Sequence, residues 1–224
     1  MNDSPLVLSI AVLGGTGKEG KGLAYRWAKA GYHVFIGSRS ADKAKAAAQD
    51  LWKMLDGNGL VEGLPNPEAA QKADVVVLTV PFAAHRETLE SVKDLLKGKL
   101  MIDVSVPLVP PKVTKVQMPP AGSAAQEARQ ILGGDAEIAS AFHNISYEYL
   151  LRDQDVDCDV LVTGTSKEAR SETLKLVGSA GLTGWDAGPL ENSVVLEGLT
   201  SVLININKQY GSTHAGIKIT GVTR

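Results

Sequence analysis

The chain is poor in cysteine, in aromatic residues and in net charge. Cys158 is the only cysteine among 224 residues, so no internal disulfide and no cysteine-held cluster can form, and the lone thiol reads as a half-buried structural residue. Lys and Arg number 23 against 25 Asp and Glu, a formal net charge of −2. No basic cluster exceeds a small local patch, so neither nucleic acid nor an acidic membrane surface is an expected partner. No apolar run approaches the length of a membrane span. The N-terminus carries Asp3 and no basic region ahead of an apolar stretch, which argues against a signal peptide and for a cytoplasmic protein. No His, Cys, Asp or Glu group has metal-ligand spacing, so no metal is expected, and the G-x-S-x-G elbow of a serine nucleophile is missing. His33, His85 and His214 have no partner pattern and read as surface residues.

What the chain does have is concentrated near its start. The apolar run Leu8-Ser9-Ile10-Ala11-Val12-Leu13 leads into Gly14-Gly15-Thr16-Gly17-Lys18-Glu19-Gly20, a strand feeding a glycine turn that opens a helix. Gly15, Gly17 and Gly20 read as G-x-G-x-x-G, one for a tight turn, one for close approach of backbone to pyrophosphate, and one for helix-on-strand packing. The helix from about Lys18 to Ala30 aims its unpaired N–H groups at the phosphates. The next strand, His33 to Arg39, completes a βαβ unit within the length the fingerprint requires. An NAD site usually ends that strand in an acidic residue; this chain offers Ser38 and Arg39, with Lys43 one turn on. These suit a 2′-phosphate and favour NADP. A solvated basic patch is the blander alternative, and Asp42 would repel phosphate if it pointed inward.

An apolar content of 44% supports one generous α/β domain or a nucleotide domain with a small companion. Helix is expected over Ala41 to Leu55, and a short strand over Val61 to Leu64. Asn66 should cap a short helix with Pro67 in its first turn. Asp74 to Val80 reads as a central strand buried on both faces, whose end at Val80-Pro81-Phe82 should line a nicotinamide. A helix over Ala84 to Leu96 and a strand over Leu100 to Val104 follow. Ser105 to Pro120 holds five prolines and is expected as a surface loop, with lid and linker equally open. Beyond it come a helix (Ser123 to Leu132), strands (Ile138 to Phe142, Val160 to Thr163) and a helix (Lys167 to Ala180). The element from Glu191 to Gln209 is apolar over more than one stripe, so it must be covered by its own chain or by a second subunit.

Leu13-Gly14-Gly15-Thr16-Gly17, Lys21-Gly22-Leu23-Ala24 and Ile36-Gly37-Ser38-Arg39 resemble the NADPH-dependent oxidoreductases of the 8-hydroxy-5-deazaflavin coenzyme (coenzyme F-420). Leu78-Thr79-Val80-Pro81, Pro107-Leu108-Val109-Pro110, Ala141-Phe142-His143-Asn144-Ile145 and Asp186-Ala187-Gly188-Pro189-Leu190 extend the likeness across nearly the whole chain. The resemblance implies an α/β fold, a Rossmann-type doubly wound parallel sheet with a small, mainly helical C-terminal domain. It divides the chain into an NADP-binding part, 1–142, and a part closing the deazaflavin cleft, 143–224. It implies direct hydride transfer between NADP(H) and the 8-hydroxy-5-deazaflavin co-substrate, catalysed by positioning without a general base.

Carried over, the resemblance assigns Gly15, Thr16, Gly17, Lys18 and Glu19 to the pyrophosphate and Ser38, Arg39 and Lys43 to the 2′-phosphate. Val80, Pro81 and Phe82 flank the nicotinamide. His143, Ile145, Tyr147, Thr200 and Ala215 meet the deazaflavin, His143 as a polariser, with a capped core histidine as the blander alternative. A homodimer through the C-terminal helix is expected. Departures are Val194 and Gly198, where some members carry a basic and a hydroxyl residue, and the bulky Tyr147, which can narrow the cleft or stack on a ring. They leave two alternatives, an NADPH-dependent reductase of another ring acceptor (flavin or quinone-like) and a non-catalytic NADP-sensing module.

Overall fold

The computed structural model describes residues 8–152 and 154–222. Strands β1 (Ser9–Leu13), β2 (His33–Ser38), β3 (Val61–Pro65), β4 (Val75–Leu78), β5 (Leu100–Asp103), β6 (Glu137–Ser140), β7 (Asp159–Gly164) and β8 (Thr183–Pro189) form one sheet. Its order is β3-β2-β1-β4-β5-β6-β7-β8. The order reverses between β1 and β4, the switch point at which doubly wound sheets bind ligands. Strands β3 to β6 run parallel, β7 pairs antiparallel to β6, and β8 pairs parallel to β7. Helices α1 (Lys18–Lys29), α2 (Ala41–Met54), α3 (Asn66–Lys72), α4 (His85–Val92), α5 (Ala124–Leu132), α6 (Tyr147–Leu150), α7 (Lys167–Ser179) and α8 (Ser193–Tyr210) complete the chain. The Rossmann-type doubly wound fold is thus observed, with a helical C-terminal region. The chain beyond 142 also adds two strands to the same sheet.

Two apolar layers sandwich the sheet. Ile10, Val12, Val75 and Val77 join one, with Leu23, Trp27 and Leu176; Ala11, Leu13, Val76 and Leu78 join the other, with Leu89, Leu96 and Ile131. That period-two division is why β1 and β4 read as unbroken apolar runs. Trp27 lies fully buried, donates its indole N–H to the Leu176 carbonyl at 2.9 Å and meets Phe142 edge-on, tying α1 to α7 and to the end of β6.

Four points differ from the sequence reading. His85 is fully buried, not superficial: as the first residue of α4 it faces β5, with Nε2 2.8 Å from Asp103 Oδ2 and Nδ1 3.3 Å from Glu127 Oε1. Burial opposes its charge, but Asp103 and Glu127 outweigh that and hold its pKa above the ordinary value. Asn66 does not cap α3; Pro65 precedes the helix, and Asn66 is its first residue. The strand β8 went unread because Thr183-Gly184-Trp185-Asp186-Ala187-Gly188-Pro189 lacks apolar alternation, being a half-buried edge strand next to β7. Cys158 is more deeply buried than expected and is hydrogen-bonded to Asn144, and burial pushes its thiol up.

A second buried acid completes the His85 cluster. Glu197, on α8, accepts from the backbone N–H groups of Ala124 and Ala125 at 2.7 and 3.1 Å, at the start of α5. Burial, reinforced by Asp103, pushes its carboxyl up to about 8. In the unfolded chain a glutamate ionises near about 4.3. The folded protein therefore holds the extra proton between those values, and the carboxyl's contribution to stability falls as pH rises through that window. His85, also raised, loses its contribution in the same direction. In thermal melts, Glu197→Gln should be less stable than wild type at pH 5 by about 1–3 kcal/mol, because an amide NH₂ then opposes a backbone N–H. The deficit should shrink by pH 8. Parallel stability curves would mean that Glu197 is ionised in the folded protein.

Candidate functional site

The glycine turn builds the site by what it omits. Gly14 carries the left-handed backbone, φ +76°, and a Cβ there would sit 2.7 Å from Val80 Cγ1. The tight-turn role thus falls to Gly14, while Gly15 is excluded from bearing a side chain by the Val12 carbonyl, 2.7 Å from its would-be Cβ. At Gly20 a Cβ would stand 2.4 Å from Thr79 Oγ1 and 2.9 Å from Gly15 Cα, which is the close helix-on-strand packing the fingerprint requires. Gly17 caps α1, leaving the first-turn N–H groups directed outward.

Those groups open on a cleft of about 810 Å³ at the carboxyl ends of the parallel strands. Of the residues assigned to NADP, Thr16, Gly17, Lys18, Glu19, Ser38, Arg39, Lys43, Val80, Pro81 and Phe82 line it, whereas Gly15 does not. Asp42 is exposed and is not part of the lining. Ser40, which caps α2, lines the cleft with Ser38 and Arg39, and Ser38 Oγ accepts from its N–H at 3.2 Å. The proline-rich loop covers the other end through Ser105, Val106, Leu108, Pro110 and Val113.

A second cavity, of about 380 Å³, gathers His143, Ile145, Tyr147, Thr200 and Ala215, all five residues assigned to the acceptor ring, with Phe142, Leu203 and Ile204. Glu19, Val104, Val106 and Leu108 line both spaces, so the two share a wall. Phe142, at φ +70°, is a non-glycine residue in the left-handed region, a local cost that turns the chain after β6 and presents His143 to the cavity. Thr200 Oγ1 donates to the His143 carbonyl at 2.8 Å, and Ser140 Oγ lies 3.3 Å from His143 Nε2. Burial pushes the imidazole down to about 4, so His143 is neutral at physiological pH. Tyr147 lines this cavity and is held there: its hydroxyl accepts from Lys18 Nζ at 3.1 Å, and the ammonium lies 4.6 Å from its ring centre. Val194 and Gly198 line neither space. A Cβ at Gly198 would meet Val116 and Met118 at 3.4 Å, so this glycine receives the proline-rich loop.

The polar atoms left without partners point to what binds here. Among the described residues four buried side-chain oxygens lack a hydrogen bond, and three of them, Glu19 Oε1, Asn66 Oδ1 and Ser105 Oγ, belong to residues lining the larger cleft. Buried polar atoms are normally satisfied, so these oxygens leave the cleft with hydrogen-bonding capacity for a polar ligand. Asn66 and Ser105 escaped the sequence reading because neither belongs to a motif; the signal was only their place at strand and helix ends. No group of His, Cys, Asp or Glu among the described residues could hold a metal.

Comparison with known proteins places this geometry. A family model for coenzyme F420-dependent NADP oxidoreductases matches residues 9–107. The chain is 41% identical to the "F420-dependent NADP reductase" of Methanothermobacter marburgensis, over 96% of this chain and 99% of that protein. It is 38% identical to the protein of the same name from Methanocaldococcus jannaschii, with the same coverage of both. The chain belongs to the F-420-dependent NADP reductase family. A protein of known structure from Arthrobacter sp. FB24, 24% identical, superposes with a TM-score of 0.78 over 94% of this chain and 98% of its own. A pyrroline-5-carboxylate reductase from Coxiella burnetii, 18% identical, superposes at 0.58 over 92% of this chain and 72% of that one. These two likenesses concern the fold.

Two substitutions test the nucleotide end of this family member. Arg39→Ala should weaken NADPH binding about 10–100-fold, the worth of a charge-assisted phosphate contact, while leaving NADH binding nearly unchanged in fluorescence titrations. Equal losses for both nucleotides would remove Arg39 from the 2′-phosphate. Gly20→Ala forces Thr79 or α1 to move and should cost about 1–3 kcal/mol of stability, with NADPH binding weakened as well; a variant with unchanged melting and affinity would show that the close packing is dispensable.

Proposed function

We propose that the chain transfers a hydride directly and reversibly between NADP(H) and the 8-hydroxy-5-deazaflavin coenzyme F-420. The observation that carries this reading is the shared wall: a nucleotide cleft and a second, mostly apolar cavity meet at Glu19, Val104, Val106 and Leu108. Residues 1–142 hold NADP(H), with the backbone of Thr16 to Glu19 at the pyrophosphate, Ser38, Arg39 and Lys43 at the 2′-phosphate, and Val80, Pro81 and Phe82 beside the nicotinamide. Residues 143–224 supply the opposite side, through His143, Ile145, Tyr147, Thr200 and Ala215. Both co-substrates exchange hydride by their own chemistry, so the protein's contribution is alignment, ring contact and exclusion of water. The proline-rich loop and the apolar residues Phe142, Leu203 and Ile204 keep the meeting point dry. A neutral His143 can donate one hydrogen bond to the acceptor without adding charge.

The reductase works in the cytoplasm as a homodimer in this reading, with no nucleic acid or membrane partner. Among the described residues no helix is long and apolar enough to cross a membrane. On α8, Val195, Val202 and Ile206 are exposed and, with Leu199, recur at spacings of three and four, an apolar stripe suited to the same stripe on a second copy.

The decisive assay mixes the purified protein with NADPH and oxidised F-420, following deazaflavin absorbance and nicotinamide fluorescence, with NADH and riboflavin phosphate in parallel. Coupled loss of both signals with NADPH, at least about tenfold faster than with NADH, is expected from one lost charge-assisted contact. Tight NADPH binding without deazaflavin turnover would sink the reading, in favour of another ring acceptor if the flavin reacts and of a sensor if nothing does.

A further inference from the structure

Glu19 is the one acid among the described residues that line both cavities, and its Oε1 meets no hydrogen-bond partner there. Glu19 is half-buried as a whole, yet its Oε1 is closed off from solvent and meets no donor. It occupies the first turn of α1, where its backbone N–H suits a pyrophosphate, but an ionised side chain there would repel one. The side chain instead contributes to the wall between the nucleotide cleft and the acceptor cavity. A buried carboxyl left without a partner costs stability, and a hydrophobic residue of similar size would fill the same space at no such cost.

We propose that the Glu19 carboxyl is the proton donor that accompanies hydride arrival on the acceptor ring, and the proton acceptor in the reverse direction. The proposal rests on the hydride-transfer reading above. A hydride leaves NADPH with both bonding electrons, a C–H bond forms on the acceptor ring, and the electron pair displaced within that ring collects on a nitrogen or carbonyl oxygen. The Glu19 O–H bond breaks; its proton joins that atom, its electrons stay on the carboxylate, and solvent reprotonates the acid after product leaves. Reduction of such a ring by NADPH consumes one proton beyond the hydride, and the remaining acceptor-cavity lining has no other carboxyl: Val104, Val106, Leu108, Leu203 and Ile204 are apolar, and Asn144, Asn207 and Thr213 are neutral.

The titratable groups near Glu19 leave it free to act. His143 and Tyr147 face it from the segment after β6. Lys18 is engaged with Tyr147. Burial alone pushes the Glu19 carboxyl up to about 8, so at neutral pH the acid holds its proton. Reduction of the acceptor by NADPH should therefore slow as pH rises through about 8, and the reverse reaction should quicken. His143, neutral above about 4, does not titrate in that range.

The test compares wild type with Glu19→Gln and Glu19→Leu. At saturating NADPH, turnover of oxidised F-420 should fall about 100-fold, the usual worth of a positioned acid. The inflection near pH 8 should vanish in both variants. Infrared difference spectra at pH 7, taken without any acceptor, should show a protonated carboxyl band that Glu19→Gln lacks. Glu19→Leu should melt no lower than wild type, which separates a proton-transfer role from a structural one. Variants that keep wild-type turnover and its pH inflection, or an infrared spectrum without that band, would overturn the proposal. Failure of wild type to reduce any ring acceptor would instead overturn the hydride-transfer reading itself, an outcome told apart because it concerns the unmutated enzyme.

Discussion

Everything at the site depends on how closely α1 can press against the ends of β1 and β4. The missing side chains at Gly14, Gly15 and Gly20 set that distance, because a Cβ at any of them would come within 2.7 Å of Val80, Val12 or Thr79 atoms. Interiors packed to crystal density do not yield by such amounts without disruption. Once the helix is seated, its N-terminal N–H groups face the cleft and Lys18 and Glu19 project toward the segment after β6. One packing constraint thus fixes the helix N-terminus at the larger cleft and the wall of the second cavity together.

The second cavity needs α8 held in place, and a buried polar network does this. Glu197 reaches from α8 to the N-terminus of α5, beside Ser123 and Ser193, whose hydroxyls lie 2.7 Å apart. His85 and Asp103 extend the cluster into α4 and β5, and Asp103 also accepts from the Ser105 N–H at 2.9 Å, at the start of the proline-rich loop. Such a network is a weak source of net stability, since desolvation offsets much of the attraction. Its directional bonds, however, allow only one seating of α8 and one departure of the loop. Hydrophobic contact alone would allow sliding.

Much of this was legible in the sequence, and the limits follow from what side-chain patterns encode. The βαβ unit, the central strand Val75–Leu78 and the helix boundaries were readable because glycine turns, apolar runs and caps act over a few residues. One end of the cleft was readable for the same reason: Ser38, Arg39 and Lys43 lie close together in sequence, and all three line it. The strand β8 was not, because an edge strand rich in glycine shows no alternation. Nor was the His85 cluster, whose members Asp103, Glu127 and Glu197 are distant in sequence and meet only in the folded chain. A glutamate in the midst of the apolar face of α8 was the one available sign of it.

The departures from the family pattern take on a different meaning in three dimensions. Read along the chain, Val194 and Gly198 suggested a cleft wall short of polar groups. In the fold neither residue touches the cleft, and Gly198 makes room for Val116 and Met118 of the loop that roofs it. Tyr147, expected to crowd or stack on a ring, is held by Lys18 across the cavity's edge. The polarity of the second cavity is therefore set at its wall with the larger cleft, where a neutral imidazole and a buried carboxyl oxygen without a donor among the described residues face a mostly apolar space. A ring that must gain both a hydride and a proton is the ligand whose chemistry those two groups match.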